Sequence, residues 1–148
     1  MKKIFIYYSL TGNGDCVSKF FNSDTTIRKI ETIKQLPKFK IFQILVGGFQ
    51  TLIDYRDPLR DFDNNIEDYD EIIIGSPIWN DRLATPVRSA IEKLNLKDKK
   101  ITFVLYSGSG KANKASEFIK KNYTNDIIVL KEPLKNITEL NKLRDKLK

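Results

Sequence analysis

The apolar run Ile4-Phe5-Ile6-Tyr7-Tyr8 breaks abruptly into Ser9-Leu10-Thr11-Gly12-Asn13-Gly14, and the residue types of that turn are those of an anion cradle. Main-chain N–H groups at a tight turn, aided by the positive end of a following helix, hold an anion without any basic side chain. Ser9, Thr11 and Asn13 add short polar side chains. Gly12 and Gly14 permit the dihedrals, or the close backbone approach, that wrapping a phosphate requires. The turn holds no Lys or Arg and no Gly-Lys-Ser/Thr follows, which excludes a Walker A loop. The third glycine of the dinucleotide fingerprint is also missing. The alternative is an ordinary polar turn between strand and helix.

A second segment, Gly75-Ser76-Pro77-Ile78-Trp79-Asn80-Asp81-Arg82, places the one Trp of the chain just past another apolar run. A flat ligand stacking on that indole would remove its apolar face from water and gain aromatic pairing geometry. Trp79 packing back onto the protein, or into a partner interface, is the competing reading. A third segment, Ser107-Gly108-Ser109-Gly110, is small enough for its main-chain N–H groups to approach the polar edge of a flat ring. Together the three describe a site for a phosphorylated planar heterocycle.

The elements that must position these loops follow from hydrophobic patterning. Residues 3–8, 71–75, 101–106 and 127–130 are near-continuous apolar runs of strand length, and residues 26–30 form a more polar candidate for an edge strand. Helical stripes lie between them: Val17, Phe20 and Phe21; Val87, Ala90, Ile91 and Leu94; Ala115, Phe118 and Ile119; Leu140, Leu143 and Leu147. Thr85-Pro86 reads as an N-cap with Pro at the first helical position, and Asn136 with Glu139 as a capping box. Ile41, Ile44, Leu45 and Phe49 fit a helix that Gly47-Gly48 should bend or split, and residues 55–68 read as a loop. Alternation of β and α elements predicts one α/β domain over 1–148, a mostly parallel sheet with helices on both faces. Ligands of such sheets sit at the carboxyl ends of the strands, where residues 9–14, 76–84 and 107–113 should converge.

Composition narrows the chemistry. The chain has 148 residues, no His and a single Cys, so His-dependent triads, the usual metal sites and internal disulfides are not expected. No apolar stretch has membrane-span length and the start lacks the zones of a signal peptide, so no membrane association and a cytoplasmic location are expected. The net charge of +7 comes from residues 97–148, which carry 13 basic and 6 acidic side chains against 13 and 13 before them. That excess is mostly scattered Lys without interleaved aromatics, which favours a solvated face over a nucleic-acid surface and predicts no nucleic-acid partner.

Tyr7-Tyr8-Ser9-Leu10-Thr11-Gly12-Asn13, Gly75-Ser76-Pro77-Ile78-Trp79 and Pro86-Val87-Arg88 resemble the flavodoxin family, and the order of elements matches over essentially the whole chain. The resemblance implies a flavodoxin-like doubly wound five-stranded parallel sheet, strand order 2-1-3-4-5, with FMN as cofactor. It implies that Ser9, Leu10, Thr11, Gly12, Asn13 and Gly14 hold the FMN phosphate. Ser76, Pro77, Ile78, Trp79 and Asn80 would flank the isoalloxazine, with Trp79 stacked on it, and Ser107, Gly108, Ser109 and Gly110 would meet its pyrimidine edge.

The chain departs from the family in several places. Gly14 stands where a Thr or Ser is common, and Asp15 is placed to compete with a phosphate for the same N–H groups. Asn80-Asp81 replaces the Gly that tolerates a flipped peptide beside the flavin N5 after reduction. The sequence pI near 9.4 contrasts with acidic family members and points to a redox partner with an acidic face. The expected role is an electron carrier with no catalytic side chain. An NAD(P)H-dependent FMN or quinone reductase, with Arg82 or Arg88 binding the nicotinamide cofactor's phosphates, and a binding or activating protein with little or no FMN remain the alternatives. A low-molecular-weight phosphatase would need Arg six positions after Cys16, where Asn22 stands.

Overall fold

The computed structural model of the chain describes residues 1–35 and 55–147. Strands β1 (Lys3–Tyr7), β2 (Thr25–Lys29), β3 (Glu71–Trp79), β5 (Lys100–Ser107) and β6 (Ile127–Lys131) form a parallel sheet in the order β2-β1-β3-β5-β6. A two-residue strand, β4 (Arg82–Leu83), pairs antiparallel with the end of β3. Among the described residues the helices are α1 (Asn13–Ser18), α2 (Thr85–Ile91), α3 (Asn113–Asn122) and, after a 3-10 turn at Ile137–Leu140, α4 (Asn141–Lys146). With β4 set aside as an arm, this is the expected order 2-1-3-4-5. The expected helix through Ile41, Ile44, Leu45 and Phe49, with its Gly47-Gly48 bend, lies outside the described residues.

Successive strand residues point to opposite faces, and the core divides accordingly. Ile4, Ile6, Ile72, Ile74, Phe103 and Leu105 pack with Val87 and Ala90 of α2 and Ala115 and Ile119 of α3. Their neighbours Phe5, Tyr7, Ile73, Val104 and Tyr106 pack on the other face with Val17 of α1 and Leu143 of α4. This two-sided burial is why the strand runs are continuously apolar. Each fully buried aliphatic or Phe side chain contributes roughly 1.5–3 kcal/mol.

Local details differ from expectation. The third strand does not stop at Gly75 but runs to Trp79, because its last two residues pair with β4. Ala84, not Thr85, is the N-cap of α2; the Thr85 hydroxyl instead donates to the buried Asp57 carboxylate at 2.5 Å. Asn136 and Glu139 do not form a capping box. Asn136 Nδ2 donates to the Lys131 carbonyl, while the Glu139 carboxylate accepts from the Lys131 N–H and from Lys142. No described helix is long and apolar enough to cross a membrane.

Candidate functional site

The carboxyl ends of β1, β3 and β5 lie side by side at the middle of the sheet, which brings the roots of the three loops together. The Tyr8 N–H donates to the Gly75 carbonyl at 3.2 Å, closing β1 onto β3 one residue before the turn. Within the turn, Ser9 Oγ accepts from the Asp15 N–H at 3.2 Å and the Gly12 carbonyl from the Cys16 N–H at 2.9 Å. Asn13 Nδ2 donates to Thr11 Oγ1 at 3.3 Å, and Asn13 Oδ1 accepts from the Leu134 N–H at 3.0 Å. Among the described residues none accepts a hydrogen bond from the N–H groups of Leu10, Thr11, Gly12, Asn13 or Gly14. Consecutive main-chain donors left without protein acceptors form the kind of concavity that holds a phosphate. α1 has only six residues, so its dipole is small and an anion held here would rest on the N–H groups themselves.

The two glycines serve different ends. Gly12, with φ 95°, adopts the left-handed conformation that lets the chain enter α1. Gly14 is buried, and a Cβ on it would lie 2.6 Å from the Tyr106 hydroxyl oxygen and 2.8 Å from the Tyr8 carbonyl oxygen. A Thr or Ser cannot fit there, so the hydroxyl expected at this position is excluded by packing. Nor does the Asp15 carboxylate turn toward the cradle. It accepts from Tyr7 Oη at 2.9 Å and pairs with Lys29 Nζ at 2.8 Å. Burial opposes its charge, yet these two hydrogen bonds and the Lys29 charge hold its carboxyl below the usual range.

Trp79 is half-buried at the end of β3 and meets Tyr8 edge to face, ring centres 5.8 Å apart at 87°. It packs back on the core and still presents surface. Tyr8 is itself buried, and burial with the nearby Asp57 charge pushes its pKa up to about 12, so it braces the indole as a neutral phenol. Asn80 and Asp81, with φ of 50° and 58°, form the two-residue turn between Trp79 and Arg82. Positive φ at both positions marks a type I′ hairpin, for which Asn and Asp are suited. Ser76 is fully buried; its Oγ donates to the Pro77 carbonyl at 2.8 Å and accepts from the Ala84 N–H at 3.1 Å, tying the hairpin base. Pro77 and Ile78 are partly buried below the Trp, and Asn80 is exposed at the tip.

On the third loop, Gly108 and Ser109 are exposed and Gly110 has φ 75°. Ser107 is buried, and its Oγ has no hydrogen-bond partner among the described residues. Such an orphaned hydroxyl at the rim of a site is the group a bound ligand or a small loop shift would satisfy. The residue before it, Tyr106, sends its hydroxyl across to donate to the Tyr8 carbonyl. Tyr8 and Tyr106 therefore join all three loops. Sequence reasoning missed both as site residues, since each reads as one more apolar position in a strand. Asp57, held by Thr85 under Tyr8, carried no sequence signal at all.

No protein-family model and no curated protein sequence matches this chain. Solved structures do. A candidate flavoprotein from Bacteroides eggerthii DSM 20697 is 20% identical, with 99% of this chain and 98% of that chain covered at a TM-score of 0.69. A flavoprotein in complex with FMN from Lactobacillus acidophilus NCFM is 21% identical, covering 93% of this chain and 98% of its own at 0.64. The flavodoxin of Fusobacterium nucleatum bound to flavin mononucleotide is 12% identical, covering 98% and 94% at 0.54. Matched over nearly their full lengths, with the same parallel strand order, these neighbours show that the chain has the flavodoxin-like α/β fold.

Proposed function

We propose that this chain binds FMN at the carboxyl edge of β1, β3 and β5 and acts in electron transfer between proteins. The observation that carries the reading is the run of five main-chain N–H groups, Leu10 to Gly14, without acceptors among the described residues, next to a Trp braced by Tyr8. The N–H groups and the Thr11 hydroxyl would hold the phosphate, Trp79 would stack on the ring system, and Ser107 to Gly110 would face its polar edge. Bound there, FMN supplies reversible one- and two-electron chemistry, and the protein's part is binding, orientation and electrostatic tuning. The stack with Trp79 adds about 0.5–1.5 kcal/mol beyond area burial. The FMN seen in the Lactobacillus and Fusobacterium neighbours supports this cofactor. No acid or base on the protein is required for such a role. The Lys excess of residues 97–148 favours a partner with an acidic face.

The test is an absorption spectrum of the purified protein before and after FMN addition. Flavin bands that co-elute with the chain, and weaken in Trp79→Ala and Thr11→Ala, are expected; a colourless protein that FMN does not load overturns the reading. Oxidation of NAD(P)H by the loaded protein with no added reductase would move the role from carrier to reductase.

A further inference from the structure

A pocket of about 390 Å³ lies between the β3–β4 hairpin, α2 and α3, lined by Arg82, Leu83, Arg88, Lys114, Ala115 and Phe118. The lining divides cleanly. Three residues are cationic and three are apolar, with Leu83 and Ala115 buried and Phe118 36% exposed. The Arg88 guanidinium stands 5.3 Å over the centre of the Phe118 ring. The walls are tied to each other, because the Asp81 carbonyl accepts from the Ala115 N–H at 2.9 Å and its carboxylate from the Lys114 N–H at 3.2 Å. Asp81 is thereby engaged at the rim, and Glu92, one turn on from Arg88, is paired with Arg56 at 2.7 Å.

We propose that this pocket is a binding site for a small, flat aromatic anion, an aryl carboxylate. The ring would lie against Phe118 and Leu83, and the carboxylate would meet Arg82, Arg88 and Lys114. Three cationic side chains line the pocket, so an anion finds charge-assisted donors there that a neutral ring cannot use. A bare inorganic anion would leave the Phe118 and Leu83 surface wet, so a ligand with both parts gains from both walls. Arg82 and Arg88 make other contacts within the protein, and a guanidinium has donors enough to accept a carboxylate as well. Arg82 is the strand partner of Trp79, so the two side chains share a face of the hairpin and the pocket adjoins the proposed flavin site, while its lining is complete without a flavin.

The test is an NMR titration of the isotope-labelled full chain with naphthalene-2-carboxylate, compared with naphthalene-2-methanol and with acetate. Saturable shifts are expected at the amides of Leu83, Lys114, Ala115 and Phe118. Affinity should fall about tenfold or more for either comparator, and for Arg88→Gln and the surface variant Lys114→Gln. Added salt should weaken binding. No saturable shift, shifts centred elsewhere, or equal affinity for the neutral alcohol overturns the proposal. Because the readout uses protein without FMN, failure of the flavin reading leaves it intact.

Discussion

Gly14 and Tyr106 are complementary: the Tyr106 hydroxyl oxygen occupies the space 2.6 Å from where a Cβ on residue 14 would sit, while it donates to the Tyr8 carbonyl. A side chain at position 14 must push that phenol aside, and overpacking of this kind costs about 1–3 kcal/mol. Gly14→Ala is expected to lower the thermal midpoint. Tyr106→Phe removes the obstructing oxygen, so Gly14→Ala should destabilise the Tyr106→Phe variant less than the parent. Strict additivity in this double-mutant cycle would show that the two positions do not share the space.

The type I′ turn at Asn80-Asp81 bears on reduction of a flavin held as proposed above. Reversing its central peptide would put residue 80 in a conformation that only Gly adopts readily, and the Asp81 contacts to α3 resist the change. Asn80→Gly should therefore widen the separation between the first and second electron potentials of the FMN-loaded protein. Redox titration finding the same separation in both proteins would sink the idea that this turn limits the flip.

Asp57 links stability to pH. Burial pushes its carboxyl above the usual range, against the hydrogen bond from Thr85. A raised carboxyl contributes stability below the unfolded pKa, near 4, and loses it as pH rises through the folded value. Charge at Asp57 is thus unfavourable at neutral pH. Asp57→Asn keeps an acceptor for Thr85 and should raise the melting temperature more at pH ~7 than at pH ~4. Asp15 runs the opposite way. Its lowered carboxyl stabilises above the usual carboxylate pKa and the benefit fades as pH falls, so Asp15→Asn should be destabilising near neutrality and nearly silent in acid. Parallel pH profiles for the two variants would contradict both assignments.

At the opposite edge of the sheet Lys3, Glu71 and Lys100 occupy one cross-strand row of β1, β3 and β5. The fully buried Glu71 carboxylate lies 3.2 Å from Lys3 Nζ and 3.1 Å from Lys100 Nζ. Neither oxygen meets hydrogen-bond geometry, so charge alone holds the row. The lysines reach water and the glutamate does not. Removing both cations in Lys3→Met/Lys100→Met strands a buried charge, a change that costs about 3–5 kcal/mol, whereas Glu71→Met leaves two lysines free to turn outward. Denaturant unfolding should rank the double lysine variant as the less stable; the reverse order would mean that the row matters for the cations.

The strand runs, the edge strand and their alternation with helices were legible because burial on both faces of a parallel sheet leaves an unbroken apolar signature. The Ser9–Gly14 turn was legible because Gly and short polar residues are what a backbone cradle needs. The sequence by itself therefore determined the architecture and which strand ends carry the candidate site. Tertiary structure alone decided why Gly14 is Gly, where the Asp15 charge goes, and that the strand beyond Gly75 folds back as a hairpin that braces Trp79 on Tyr8. It also assembled the cationic pocket from residues 82 to 118, far apart in the chain. Those facts depend on which side chain from another strand or helix fills a given volume, and periodicity records burial without naming the neighbour.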